Sequence, residues 1–82
     1  MKRIILKEFQ ASGDLFYTNT VKMYCNMAEV DSISSFDEID NLQKKVTELM
    51  AADKNCNISS SVDKKNLLNI YFTELKIALR NA

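Results

Sequence analysis

The stretch Ser35-Phe36-Asp37-Glu38-Ile39-Asp40-Asn41-Leu42-Gln43-Lys44-Lys45-Val46-Thr47-Glu48-Leu49-Met50 decides the fold. Phe36, Ile39, Leu42, Val46, Leu49 and Met50 recur at steps of three and four, which places them on one face of an α-helix. Ser35 followed three residues later by Glu38 fits a capping box, in which the serine hydroxyl and the glutamate carboxylate satisfy otherwise free backbone N–H groups. Charge runs the same way: Asp37, Glu38 and Asp40 stand at the positive end of this helix, and Lys44, Lys45 and Lys54 lie further along. Upstream, residues 29–40 hold five acids and no base, and read as a turn leading into the helix.

Working outward, Asp53 to Ser61 is polar and predicts a break, with Ser59-Ser60-Ser61 as a turn and Ser60 or Ser61 as the next cap. The final helix is expected to run to about Leu79. Its main face is Leu68, Tyr71, Phe72, Leu75, Ala78 and Leu79; Ile70 and Ile77 fall on another side, so it should touch more than one neighbour or half an interface. Toward the N-terminus the series Leu6, Phe9, Gly13, Phe16, Thr20, Met23, Met27 and Val30 again steps by three and four, as a helix face does. Ser12-Gly13-Asp14 interrupts it, since glycine ends helices and aspartate caps them. A first helix near 2–11 and at least partial helix within 15–30 follow. With one glycine and no proline in 82 residues, tight β-turns are scarce. The expectation is an all-α fold: a small three- to four-helix bundle forming one domain over residues 1–82.

Composition narrows function. A chain this short buries only about 60% of its unfolded surface, which leaves little depth for an enclosed active site. It has no histidine, the usual general base near neutral pH and a frequent zinc ligand. A non-enzymatic role is expected. Eleven basic residues balance eleven acidic ones, so no net field draws the chain to nucleic acid or to an anionic membrane. The pairs Lys44-Lys45 and Lys64-Lys65 read as solvated helix surface, and Phe9, Phe16, Tyr17, Tyr24, Phe36, Tyr71 and Phe72 as packing residues. Met1-Lys2-Arg3-Ile4-Ile5-Leu6-Lys7 starts like a signal peptide, but its apolar run closes at Lys7. No stretch approaches the roughly 20 apolar residues of a membrane span. Cys25 and Cys56 lack redox or metal spacing and are expected to be reduced thiols of a cytoplasmic protein. Asp53-Lys54-Asn55-Cys56-Asn57 begins like a calcium loop, yet Ile58 replaces the glycine and Lys64 the closing glutamate, so no metal is expected.

One motif points to a function. Asp31-Ser32-Ile33 precedes a helix carrying Ile33, Phe36, Ile39, Leu42 and Val46, and this pattern resembles the acyl carrier protein family. The resemblance implies that Ser32 opens the second helix and accepts a 4′-phosphopantetheine arm. It also implies that Asp31 and Asp37 help a transferase dock and that Ile33 and Phe36 lie near the bound chain. A phosphodiester there would sit against free helix N–H groups. The chain departs from the family pattern at Glu29, where a glycine commonly stands, and at Lys44 and Lys45, which replace acids. Asp31, Ser32, Ser34 and Ser35 are also ordinary capping residues, and if Ser35 is the cap the helix starts at Phe36 and Ser32 is loop. The alternative is a small helical adaptor, regulator or secretion-type chaperone without a prosthetic group, which buries the surplus face of the last helix, with Ile70 and Ile77, against a protein partner or its own copy; across the two readings the expected partner-binding residues are Phe36, Asp37, Ile70 and Ile77.

Overall fold

The computed structural model describes residues 2–82. In chain order these form β1 (Ile4–Ile5), α1 (Leu15–Met27), β2 (Ser32–Ile33), α2 (Phe36–Ala52) and α3 (Ser61–Asn81). The chain is mostly helical, but the all-α expectation needs a correction. β1 and β2 pair antiparallel, with Ile4 opposite Ile33 and Ile5 opposite Ser32.

The helix expected near 2–11 is absent. Ile4 and Ile5 are β-branched and extend into the ladder, and Leu6 N–H adds a 2.9 Å bond to the Asp31 carbonyl. What remains of the helical spacing is one turn, closed by Glu8 N–H to Ile5 and Phe9 N–H to Leu6 carbonyls. That single turn is enough to point Leu6 into the core and bring Phe9 edge-on to Tyr71, with ring centroids 5.4 Å apart.

The helix boundaries follow their caps. Asp14 accepts from the N–H groups of Phe16 and Tyr17 and starts α1, directly after Gly13 at φ 102°. α1 stops at Met27, and the chain turns through Glu29 at φ 60° into β2. Ser35 Oγ accepts from Glu38 N–H at 3.2 Å, so Ser35 is the cap of α2. The return bond of the capping box is displaced by one residue: Glu38 takes Ser34 N–H at 2.7 Å. Ser60 caps α3 by accepting from Asp63 N–H, and the helix continues to Asn81.

The core gathers Val21, Tyr24 and Cys25 from α1, Ile39, Leu42, Val46 and Met50 from α2, and Leu68, Tyr71, Phe72, Leu75 and Leu79 from α3. Leu6, Ala28, Ile33 and Ile58 seal it from the connecting segments. On α2 and α3 these are the faces the periodicity predicted. On α1 they are not. Phe16, Met23 and Met27, taken from the sequence as one buried stripe, lie outside, and the core takes the neighbouring stripe instead.

Candidate functional site

Ser32 lies in β2, three residues before the cap of α2, rather than at the helix N-terminus as the family pattern requires. Ser35 Oγ accepts from Glu38 N–H and the Glu38 carboxylate from Ser34 N–H, so the N-terminus of α2 is organised around Ser35 and not around Ser32. Its side chain is half-buried at the edge of an open polar cleft of about 530 Å³ that also takes in Asp31, Glu38, Asn41 and Lys45. Lys45 crosses this region to donate to the Ala28 carbonyl at 3.1 Å. Ile33 is not beside any cleft that would hold an attached chain; it is a core residue at 1% exposure.

The other predicted residues are separate from this cleft. Phe36 is exposed at the start of α2, where the Arg80 guanidinium lies 5.8 Å from its ring centre. Asp37 is exposed on the next position of the same turn. Ile70 and Ile77 are both exposed on α3, seven residues apart and therefore on one side of that helix. Ile70 shares a cleft of about 320 Å³ with Tyr17, Gly13 and Leu67, so α1 and α3 each contribute apolar surface there.

Burial and hydrogen bonding move four titratable groups from their ordinary values. Burial pushes the Cys25 thiol up to about 12 against a slight lowering by Lys22, so it is protonated at neutral pH. Burial also raises the Tyr71 hydroxyl. Tyr24 is raised first by burial and then by its 2.6 Å hydrogen bond to Asp53 Oδ2. The same bond, with help from Asn55 N–H, holds the Asp53 carboxyl below its ordinary range. This pair fastens α1 to the turn after α2. It is a brace, and no substrate-sized opening adjoins both groups among the described clefts. Among the described residues no group of three or more histidine, cysteine or acidic side chains is placed to hold a metal ion, and no helix is long and apolar enough to cross a membrane.

The largest unexplained feature is the outer side of α1. Leu15, Phe16, Met23 and Met27 are 63, 54, 46 and 52% exposed. Only Asn19 and Asn26 interleave with them, and both are exposed. The one charged residue of α1, Lys22, is half-buried and bends back to the Lys7 carbonyl at 3.3 Å. The helix has no acid in its first turn and no base in its last. Sequence reading passed over this face because it assigned the same stripe to the core. The signal was present nonetheless: residues 15–28 carry two apolar stripes, and one three-helix core has room for one.

The chain matches no protein-family model, no curated protein and no solved structure.

Proposed function

We propose that this protein acts by binding another polypeptide through the outer face of α1, as a helical adaptor or regulator without a prosthetic group. The observation that carries this reading is the run Leu15, Phe16, Met23 and Met27, all about half exposed or more, on a helix surface without charge. Scattered exposed apolar residues are ordinary, whereas a contiguous apolar strip is a mark of an interaction site. Methionine suits the role because its unbranched, polarisable side chain adapts to a partner's contour. Ile70 and Ile77 are also exposed, on α3.

The test is a photo-crosslinking residue placed at position 23, with one at position 48 on the exposed charged side of α2 as control. The reading requires covalent capture of a polypeptide from position 23 and none, or far less, from position 48. Equal capture from both, or from neither, overturns it.

A carrier role for Ser32 is the second reading. It is favoured by the Asp31-Ser32-Ile33 motif and by the cleft of about 530 Å³ at whose edge Ser32 lies, a volume within the roughly 300–1,000 Å³ of small-molecule sites. The strand position of Ser32 weighs against it, since a phosphodiester there lacks the helix N–H groups that would stabilise it. Incubation with coenzyme A and several broad-specificity phosphopantetheinyl transferases decides it. A carrier gains one arm that is lost in Ser32→Ala and kept in Ser34→Ala and Ser35→Ala; an unmodified mass with every transferase ends the reading.

A further inference from the structure

We infer that the occupant of the α1 outer face is a second copy of this chain, its α1 packed antiparallel across a two-fold axis. The inference rests on the reading of that face as a binding surface and goes on to name what binds.

Three observations favour a second copy over an unrelated partner. The first is charge. In a two-fold contact every residue meets the same surface on its partner, so a patch with net charge repels itself. The outer face of α1 carries none, Lys22 being turned away to the Lys7 carbonyl. Partners of different sequence are commonly selected and steered by complementary charge, and this face offers nothing for such selection. The whole chain is likewise neutral, with eleven residues of each sign, so no long-range repulsion separates two copies.

The second observation is spacing. Phe16 and Met27 stand at opposite ends of the strip, with Met23 between them. Reversing one helix against the other places Phe16 of each copy opposite Met27 of its partner, an aromatic–thioether contact, and sets the two Met23 side chains near the axis. Asn19 and Asn26 then lie beside the seam, where their amides reach across it or to water. A parallel arrangement would stack Phe16 on Phe16 and leave the helix dipoles aligned head to head, the less favourable choice.

The third is area. Phe16, the aromatic member of the strip, has about 150–250 Å² to bury, and the leucine and two methionines are not much smaller. At their observed exposures, Leu15, Phe16, Met23 and Met27 therefore offer on the order of 400 Å² per copy. With the two asparagines, a pair buries roughly 1,000 Å² in total, the lower edge of specific association. A reversible, concentration-dependent dimer fits that size.

Sedimentation equilibrium on the purified chain tests this. The expected result is a monomer–dimer equilibrium, weakened at least about tenfold by Met23→Glu, which places two carboxylates near the axis. Phe16→Lys and Met27→Glu should each weaken the dimer alone and restore it when mixed, because an antiparallel pair sets position 16 of one copy against position 27 of the other. Helical circular dichroism of all three variants should match the parent, since each site is exposed. A parent that stays monomeric to near-millimolar concentration, or a dimer indifferent to Met23→Glu, overturns the inference; a sensitive dimer without rescue on mixing overturns the antiparallel arrangement. The crosslinker at position 23 keeps the two levels apart. An adduct of twice the chain mass supports a second copy, an adduct of another mass overturns it while leaving the binding face standing, and no adduct overturns both.

Discussion

Helix α2 turns Ile39, Leu42, Val46 and Met50 inward and presents Asp37, Glu38, Asp40, Lys44, Lys45 and Glu48 to water; α1 turns Val21, Tyr24 and Cys25 inward and presents Leu15, Phe16, Met23 and Met27. The two helices bury similar material, but only α2 has an outer surface suited to remaining in solvent. Apolar area left in water contributes nothing to the folded monomer. The inner faces therefore carry the stability of the fold, and the outer face of α1 is free to serve something else. Substitutions on the two kinds of face should separate stability from association.

The largest effect is expected in the core. Leu75, fully buried where α3 packs into the centre, should lose about 2–5 kcal/mol on Leu75→Ala, the usual cost of emptying a buried leucine site. Urea denaturation measures it. A loss under about 1 kcal/mol would mean that the α3 inner face is not the main support. Next is the cap of α2: Ser35→Ala removes the acceptor for Glu38 N–H and should cost about 1 kcal/mol. Ser32→Ala, three residues earlier in β2, should cost less, and a reversed order in thermal melts would move the helix start back toward the family pattern.

A smaller effect concerns the brace between α1 and the turn after α2. Folding lowers the Asp53 pKa from 3.8, so its contribution is present above about pH 4 and is lost as pH falls further. Folding raises Tyr24 from 10.0, so that contribution is complete below pH 10 and is lost as pH rises beyond it. Tyr24→Phe should flatten the acid limb of a stability–pH curve and shrink the alkaline limb. Part of the alkaline limb should persist, because the Cys25 thiol is raised from 9.0 to about 12 and loses its own contribution over that interval. At neutral pH the melting temperature should fall by a few degrees, about what one lost hydrogen bond costs a domain of this size.

The smallest stability effect is predicted where the largest binding effect lies. Met23→Glu on the α1 outer face should change the unfolding free energy of the monomer by no more than about 0.5 kcal/mol, measured at a concentration too low for association. A large loss would show that Met23 supports the core and would erase the contrast between the helices.

Much of this division was legible in the sequence. α2 could be read nearly residue by residue, because its apolar spacing, its cap at Ser35 and its charge order agree. α3 was legible for the same reason, to within two residues of its end. The first forty residues were harder for definite physical causes. Leu6 and Phe9 are three apart in a lone turn as they would be in a helix, and only the distant partner strand at Ser32–Ile33 makes Ile4–Ile5 extended. In α1, Thr18 and Thr20 are both buried, satisfied by the Leu15 and Phe16 carbonyls. The stripe read from the sequence ran through Thr20 to the larger residues Phe16, Met23 and Met27, whereas the buried side joins both threonines to Val21, Tyr24 and Cys25; side-chain size favoured the former, so pattern reading chose the wrong side. At the Ser32 site the motif residues were visible, but which serine capped the helix depended on where Glu38 reached, and sequence leaves that open.

The two-residue ladder ties Ile4 to Ile33 and Ile5 to Ser32, and this pairing has a kinetic side. During synthesis the N-terminal strand emerges from the ribosome well before its partner does, and α1 lies wholly between them. Closing that span has an entropic cost that so short a ladder cannot offset by itself. Leu6 and Ile33 must therefore find their places against α2 and α3 before the ladder holds. Residues 4–9 should be the last of the described segments to acquire protection from hydrogen exchange and the first to lose it, an opening that leaves the three helices docked.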